Sequence, residues 1–292
     1  MNIKKGDRVI HRKAKEWGIG EILELGNGPR CRIFFANKGN TLISTDSLDL
    51  LEKVEGKSAE HPLLDNLKLS GDKEVKYKTI SELITKFINI FPKGFYDDNY
   101  YKEERDYKIE AHELMLRLLN KSEYDKMLES EEYEEICSRA LKIVNKTNLI
   151  FPNEKMALKD GLKSAENKKM FAVSLFQLLY GQSELSERFS IFAETLYSIE
   201  AAKWTTQTYF LFITYPDKYI FMKPSVTQSA ADAFAFELNY STEINWNSYE
   251  KLMRFSQYVS DELSKSGDAL KPRDMIDVQS FIWSSAPGKY IA

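Results

Sequence analysis

Four residues in the last third of the chain are of the types that acid–base or nucleophilic chemistry needs: Lys223, Asp274, Asp277 and Gln279. Lys223 follows the apolar run Tyr219, Ile220, Phe221, Met222 and precedes Pro224, which holds its backbone extended. A lysine held beside apolar neighbours is a candidate nucleophile or base, because burial lowers its affinity for a proton. The stretch KPRDMIDVQSFIW, residues 271–283, supplies the carboxylates. On a helix, Asp274, Asp277 and Ser280 share one face, while Met275, Val278 and Ile282 turn to the core. Asp277 and Gln279 are then polar groups set in an apolar wall, as a general base or a binding contact requires. A plainer role competes. Pro272 suits a first helical turn, and Asp274 and Asp277 favour a helix N-terminus. Both roles stay open on sequence grounds.

Other familiar chemistry is missing. There is no G-x-x-x-x-G-K-[ST], and Ala286-Pro287-Gly288-Lys289 has no helix after it to receive a phosphate. Gly18-Ile19-Gly20 lacks the third glycine of a dinucleotide fingerprint. No G-x-S-x-G or C-x-x-C occurs, and His11, His61 and His112 are too dispersed for a zinc site. No cofactor and no metal is expected. Cys31 and Cys137 fall on different predicted elements, so a disulfide is not expected and a reducing cytoplasm suits the chain. No run of about 18 apolar residues marks a membrane span, and no apolar core follows the N-terminal lysines as in a signal peptide.

Charge is unevenly spread. The net charge is −3, which argues against a wholly basic nucleic-acid binder. Residues 1–55 carry 10 Lys and Arg against 8 Asp and Glu, whereas residues 97–135 carry 6 against 14. Contacts to phosphate are therefore expected from the N-terminal region, where Arg8, Arg12, Lys13, Lys15, Arg30 and Arg32 accompany Trp17. An ordinary solvated strand surface explains the same residues.

The elements that position these groups fall into two kinds. Residues 7–12 and 17–25 alternate apolar and polar side chains, and Gly26-Asn27-Gly28-Pro29 turns the chain into Cys31-Arg32-Ile33-Phe34-Phe35-Ala36. Asn37-Lys38-Gly39-Asn40 turns it again into residues 41–44, and residues 48–51 supply a fifth short strand. Five short strands with glycine-bearing turns predict a small SH3-like β-barrel over residues 1–55, closure being one way to remove exposed edges. The run Gly6-Asp7-Arg8-Val9-Ile10-His11, then Gly18-Ile19-Gly20-Glu21-Ile22, then paired Phe34-Phe35 resembles the Tudor-like domain at the C-terminus of UvrD/PcrA helicases. It is also similar to the RNA-polymerase-interacting domain of CarD-type transcription factors. Lys13–Glu16 lengthen the first turn relative to that group. The resemblance implies a non-catalytic module that binds DNA or RNA polymerase.

Residues 56–78 are polar and glycine-bearing and read as a linker, with one apolar docking segment at residues 63–69. From Thr79 the period changes to that of a helix. Thr79 and Glu82 make a capping box ahead of Ile80, Leu83, Ile84, Phe87 and Ile88. Further helices are predicted at 102–120, 130–146, 166–180, 183–199, 227–238, 248–264 and 272–284. Residues 204–216, WTTQTYFLFITYP, fit a buried strand or a core helix equally. The expectation is an α+β protein in parts: the barrel, the linker, and a mostly helical domain over residues 79–292. The function expected is a bacterial nucleic-acid-associated accessory protein that binds DNA or RNA polymerase and engages a second protein partner. Two alternatives are a base- or strand-cleaving enzyme of a phage-defence or restriction system, and an oligomeric scaffold.

Overall fold

The computed structural model describes residues 3–25, 29–68 and 77–286. The alternating segments become β1 (Arg8–His11), β2 (Ile19–Leu25), β3 (Arg30–Phe35) and β4 (Gly39–Ser44). The fifth strand differs from expectation. Residues 45–50 form a 3-10 helix started by Ser44, whose hydroxyl accepts from the Asp46 N–H, and β5 (Leu51–Val54) begins only where that turn ends. All described pairings are antiparallel, in the order β4-β3-β2-β1-β5, an SH3-like layout. The lengthened first turn is taken up by a 3-10 turn at Lys15–Trp17, closed by Gly18 at φ 73°. The expected turn at Gly26–Gly28 lies outside the described residues.

Period-two alternation gives this sheet two apolar faces of unequal size. Val9, Ile22, Cys31, Ile33, Phe35, Ile43 and Leu51 point inward and form a core of their own. Gly20 belongs to that face. A Cβ there would stand 2.6 Å from the Phe35 ring, so the glycine makes room for the aromatic. On the outer face, Ile19, Leu23 and Phe34 pack against the core of the helical region instead. Tyr77 covers Phe34 edge-to-face at 4.9 Å, and its hydroxyl donates to the Ala36 carbonyl at 2.7 Å. The docking segment contributes Leu63 and Leu64 to that larger core; its last residue, Leu69, is outside the described set.

Twelve α-helices follow among the described residues. They are α1 (Ile80–Ile90), α2 (Asp98–Tyr100), α3 (Asp106–Leu118), α4 (Lys121–Glu129), α5 (Tyr133–Asn145), α6 (Pro152–Gly161), α7 (Ala165–Tyr180), α8 (Leu185–Ser198), α9 (Trp204–Thr214), α10 (Pro224–Ala233), α11 (Trp246–Lys265) and α12 (Met275–Ser285). The capping box at Thr79 is present, with both reciprocal bonds made. The ambiguous segment is α9, and all of its residues are buried. It packs against α3, α7 and α8, which explains why it is apolar around its whole circumference. A π-helical turn, Tyr101–Arg105, joins α2 to α3. α12 is the second interior helix, packed against α1, α10, α11 and that π-turn. The residues expected to do chemistry lie on it or beside it.

Candidate functional site

Asp274 caps α12, accepting from the N–H groups of Ile276 at 3.0 Å and Asp277 at 3.2 Å. The capping role is therefore real, but both carboxylates do more. Arg105 grips Asp274 through two bonds, Nη1 to Oδ1 at 2.9 Å and Nη2 to Oδ2 at 2.7 Å, and sends Nη1 to Asp277 Oδ1 at 2.7 Å. Asp277 has no exposed surface. Its Oδ1 also accepts from Tyr100 Oη at 2.6 Å and Arg273 Nη2 at 3.0 Å, and its Oδ2 from Arg273 N at 2.9 Å and Nε at 2.8 Å. A carboxylate offers about four lone-pair sites, so none is left over for a substrate proton.

One turn further, Ser280 accepts from Lys108 Nζ at 2.8 Å, and Lys108 pairs with Glu104 at 3.2 Å. Burial strips Lys108 of water and lowers its pKa, an effect that Glu104 and then Asp277 oppose. Tyr100 is pushed well above its ordinary value, first by burial and then by the Asp277 charge. Arg105 is desolvated too, yet Asp274 and Asp277 outweigh that and raise it. The π-turn explains how Glu104, Arg105 and Lys108 reach α12 together, since an extra residue in the turn re-aims the side chains after it. Among the described residues, three cations (Arg105, Lys108, Arg273) meet three carboxylates (Glu104, Asp274, Asp277), so their formal charges balance. Such a network clamps helices together.

Lys223 and Gln279 do not join it. They meet on another face of α12, lining with Phe221, Thr227 and Ile282 a cavity of about 10 Å³. Lys223 Nζ stands 4.1 Å from the Phe151 ring centroid and 4.9 Å from that of Trp283, and donates to the Leu149 carbonyl at 3.4 Å. The Gln279 Oε1 is buried without a hydrogen-bond partner. The four candidates from the sequence thus form two pairs on two faces. Tyr100, Glu104, Arg105 and Lys108 were not singled out in the sequence. Their one local signal is the Glu104–Lys108 spacing in the densely charged segment 102–110 that precedes the apolar face of α3.

The basic residues of the sheet are also divided. Arg8 is largely covered and turned toward the body, pairing with Asp65 at 2.9 Å and Glu21 at 3.2 Å. Burial raises the Glu21 pKa, and Arg8 opposes the rise. Arg12 faces Glu52 at 3.8 Å, with Lys13 and Lys15 exposed in the turn that follows. Trp17 packs on His11 at 4.9 Å and Phe35 at 5.3 Å. Arg30 and Arg32 lie at the opposite end of the strands. Ile19 sits across from Ile10 and Glu24 from Arg32, so the two ends are about 16 Å apart at about 3.3 Å per residue. At the Arg30 end, Arg32 pairs loosely with Glu24 at 3.9 Å and lies across from Leu42 of β4, a leucine 57% exposed.

No group of three or more His, Cys, Asp or Glu among the described residues is placed to hold a metal ion, and no described helix is long and apolar enough to cross a membrane. No curated protein and no solved structure matches the chain. A family model does match the sheet: residues 3–54 are similar to the protein of unknown function DUF3553.

Proposed function

We propose that the chain is a nucleic-acid-associated accessory protein whose sheet docks on a partner protein, RNA polymerase in the first instance, through Arg30, Arg32 and Leu42. One observation carries this reading. Leu42 is exposed on β4, a strand paired on one side only among the described residues, with Arg32 directly across from it and Arg30 across from Ser44. A large apolar side chain rimmed by arginines on a sheet edge is chemistry for a protein surface. Duplex DNA fits less well. Its phosphates call for several cations converging on one face, whereas here the basic side chains are split between two ends and Arg8 is engaged within the chain. The resemblance of residues 4–52 to Tudor-like modules that bind RNA polymerase or nucleic acid is compatible with this partner.

The test replaces Arg30 and Arg32 together with Ala. We expect retention of RNA polymerase in a pull-down to be lost, while the salt dependence of DNA binding stays as in the wild type. A slope reduced by about one unit for each arginine removed would make phosphate the true partner. Polymerase held equally by both proteins would end the proposal.

A further inference from the structure

The segment between α9 and α10 passes the start of α12 and leaves a recess against α11. Met275, the first residue of α12, donates its N–H to the Pro216 carbonyl at 2.7 Å, which ties that segment to the helix. On α11, Met253, Ser256 and Gln257 stand three and four residues apart and share one face, with Arg254 beside them. With Lys218, Ile220 and Met275 they line a cavity of about 260 Å³ that is open to solvent on one side. Its apolar wall comes from Ile220 and Met275, both buried, and from Met253, which packs on the core. Its charged groups are Lys218 and Arg254, both cations, and no described lining residue is acidic. The chain as a whole carries a net charge of −3, so a wall of this sign is a local feature. The acids nearby lie outside the lining. Glu250 meets Arg254 at 3.3 Å as an exposed pair, which holds the arginine only loosely, and Asp261 accepts from Gln257 Nε2 at 2.8 Å. Lys218 forms no ion pair among the described residues and lies 6.0 Å from the Tyr215 ring centroid.

We propose that this cavity binds a small organic anion, an apolar body carrying one carboxylate, sulfonate or phosphate group. Its volume lies just under the range of about 300–1,000 Å³ usual for ligand pockets, so the occupant is small. Displacing water from Ile220 and the two methionines favours an apolar body, and the unbranched thioether side chains adapt to its shape. Lys218 and Arg254 select the sign of the charge, the guanidinium through paired N–H donors and the ammonium as a point charge. A neutral ligand leaves both cations unused, and a bare inorganic anion leaves the apolar wall wet. The occupant touches α11, the start of α12 and the segment between α9 and α10 at once, so its binding ties three elements together. This site lies on the helical region and does not depend on the reading of the sheet.

The experiment follows the methyl resonances of isotope-labelled methionine in the full chain while naphthalene-2-sulfonate is added, with Met253→Leu and Met275→Leu assigning the two signals. Both should shift saturably. 2-Naphthol, the same ring system without the anion, and inorganic phosphate, the anion without a ring, should each bind at least about tenfold more weakly than the sulfonate. Lys218→Met and Arg254→Met should each weaken sulfonate binding about tenfold, the scale of one lost charge-assisted hydrogen bond. Both side chains are exposed, so the remaining methionine signals should stay in place and report an intact fold. Absence of a saturable shift at Met253 and Met275 overturns the proposal. So does equal affinity for 2-naphthol or for inorganic phosphate, or sulfonate affinity unchanged in either variant.

Discussion

At the scale of single residues, Asp277 shows how burial changes the meaning of a side chain. Read as part of a helix start, its replacement by Asn costs little, since carboxylate and amide both cap well. In the structure it is wholly buried and bonded to Arg105, Arg273 and Tyr100. An amide has one acceptor oxygen and brings two donors of its own toward those donors. Asp277→Asn should therefore cost roughly 3–5 kcal/mol, the scale of breaking a buried ion pair. Asp274→Asn, at a more exposed capping position, should cost clearly less. Urea denaturation of both variants checks the order, and equal small losses would mean that the network contributes little. The types and places of Asp274 and Asp277 were legible because proline and aspartate carry local signals. Their partners were not, because Arg105 lies 169 and 172 residues away in the chain. No local pattern records such a distance.

The same division between local and distant information holds for whole elements. Helices with one buried stripe were readable: α1 buries Leu83 and Phe87 behind its capping box, and α5 buries Ile136, Cys137, Ala140, Ile143 and Val144. α4 and α6 escaped notice because they bury only Tyr124 and Met127, and only Leu158, too few to make a stripe. Their end signals were present in Asn120, which caps α4, and in Pro152 at the start of α6. α9 was undecidable for the opposite reason. A helix buried on all sides has no polar face, and without one there is no period to measure. Of its four threonines, Thr205 and Thr208 are hydrogen-bonded inside, whereas the Thr206 and Thr214 hydroxyls are buried without a partner among the described residues. The Thr208 hydroxyl donates to the Trp204 carbonyl at 2.8 Å and accepts from the Met222 N–H at 3.0 Å. Thr208→Val keeps the shape and strands that N–H, so it should destabilise the protein by about 1–3 kcal/mol. Faster exchange of the Met222 amide would locate the loss, and a neutral result would show that the hydroxyl does not tie α9 to the segment before α10.

For the molecule as a whole, the question is whether the sheet is a unit of its own. The change of period near residue 79 and the polar composition before it argue that residues 1–55 fold independently, and the seven-residue inner core of the sheet gives them something to fold around. That core is small, and a domain of this size is marginal alone. Its outer face is shared with the body: Phe34 lies under Tyr77, and Arg8 reaches Asp65. Gly39, at φ 79°, lets the Tyr77 ring close down, since a Cβ there would stand 2.6 Å from it. Residues 66 and 68 are anchored to the helical region as well, with Lys68 N donating to the Ala235 carbonyl and Glu237 N to that of Asn66. The sheet is thus stabilised by a clamp as well as by its own core, and Tyr77→Ala removes the aromatic part of the clamp without touching that core. We expect this variant to unfold in two steps, with the amides of β2 and β3 exchanging early and those of α9 and α12 keeping their protection. The isolated fragment 1–55 should give a β-only circular dichroism spectrum and a cooperative transition at low denaturant. If Tyr77→Ala instead lowered protection equally in the sheet and in α12, the two regions would be one cooperative unit. A fragment with helix, or with no cooperative transition, would likewise show that the sheet needs the body in order to fold.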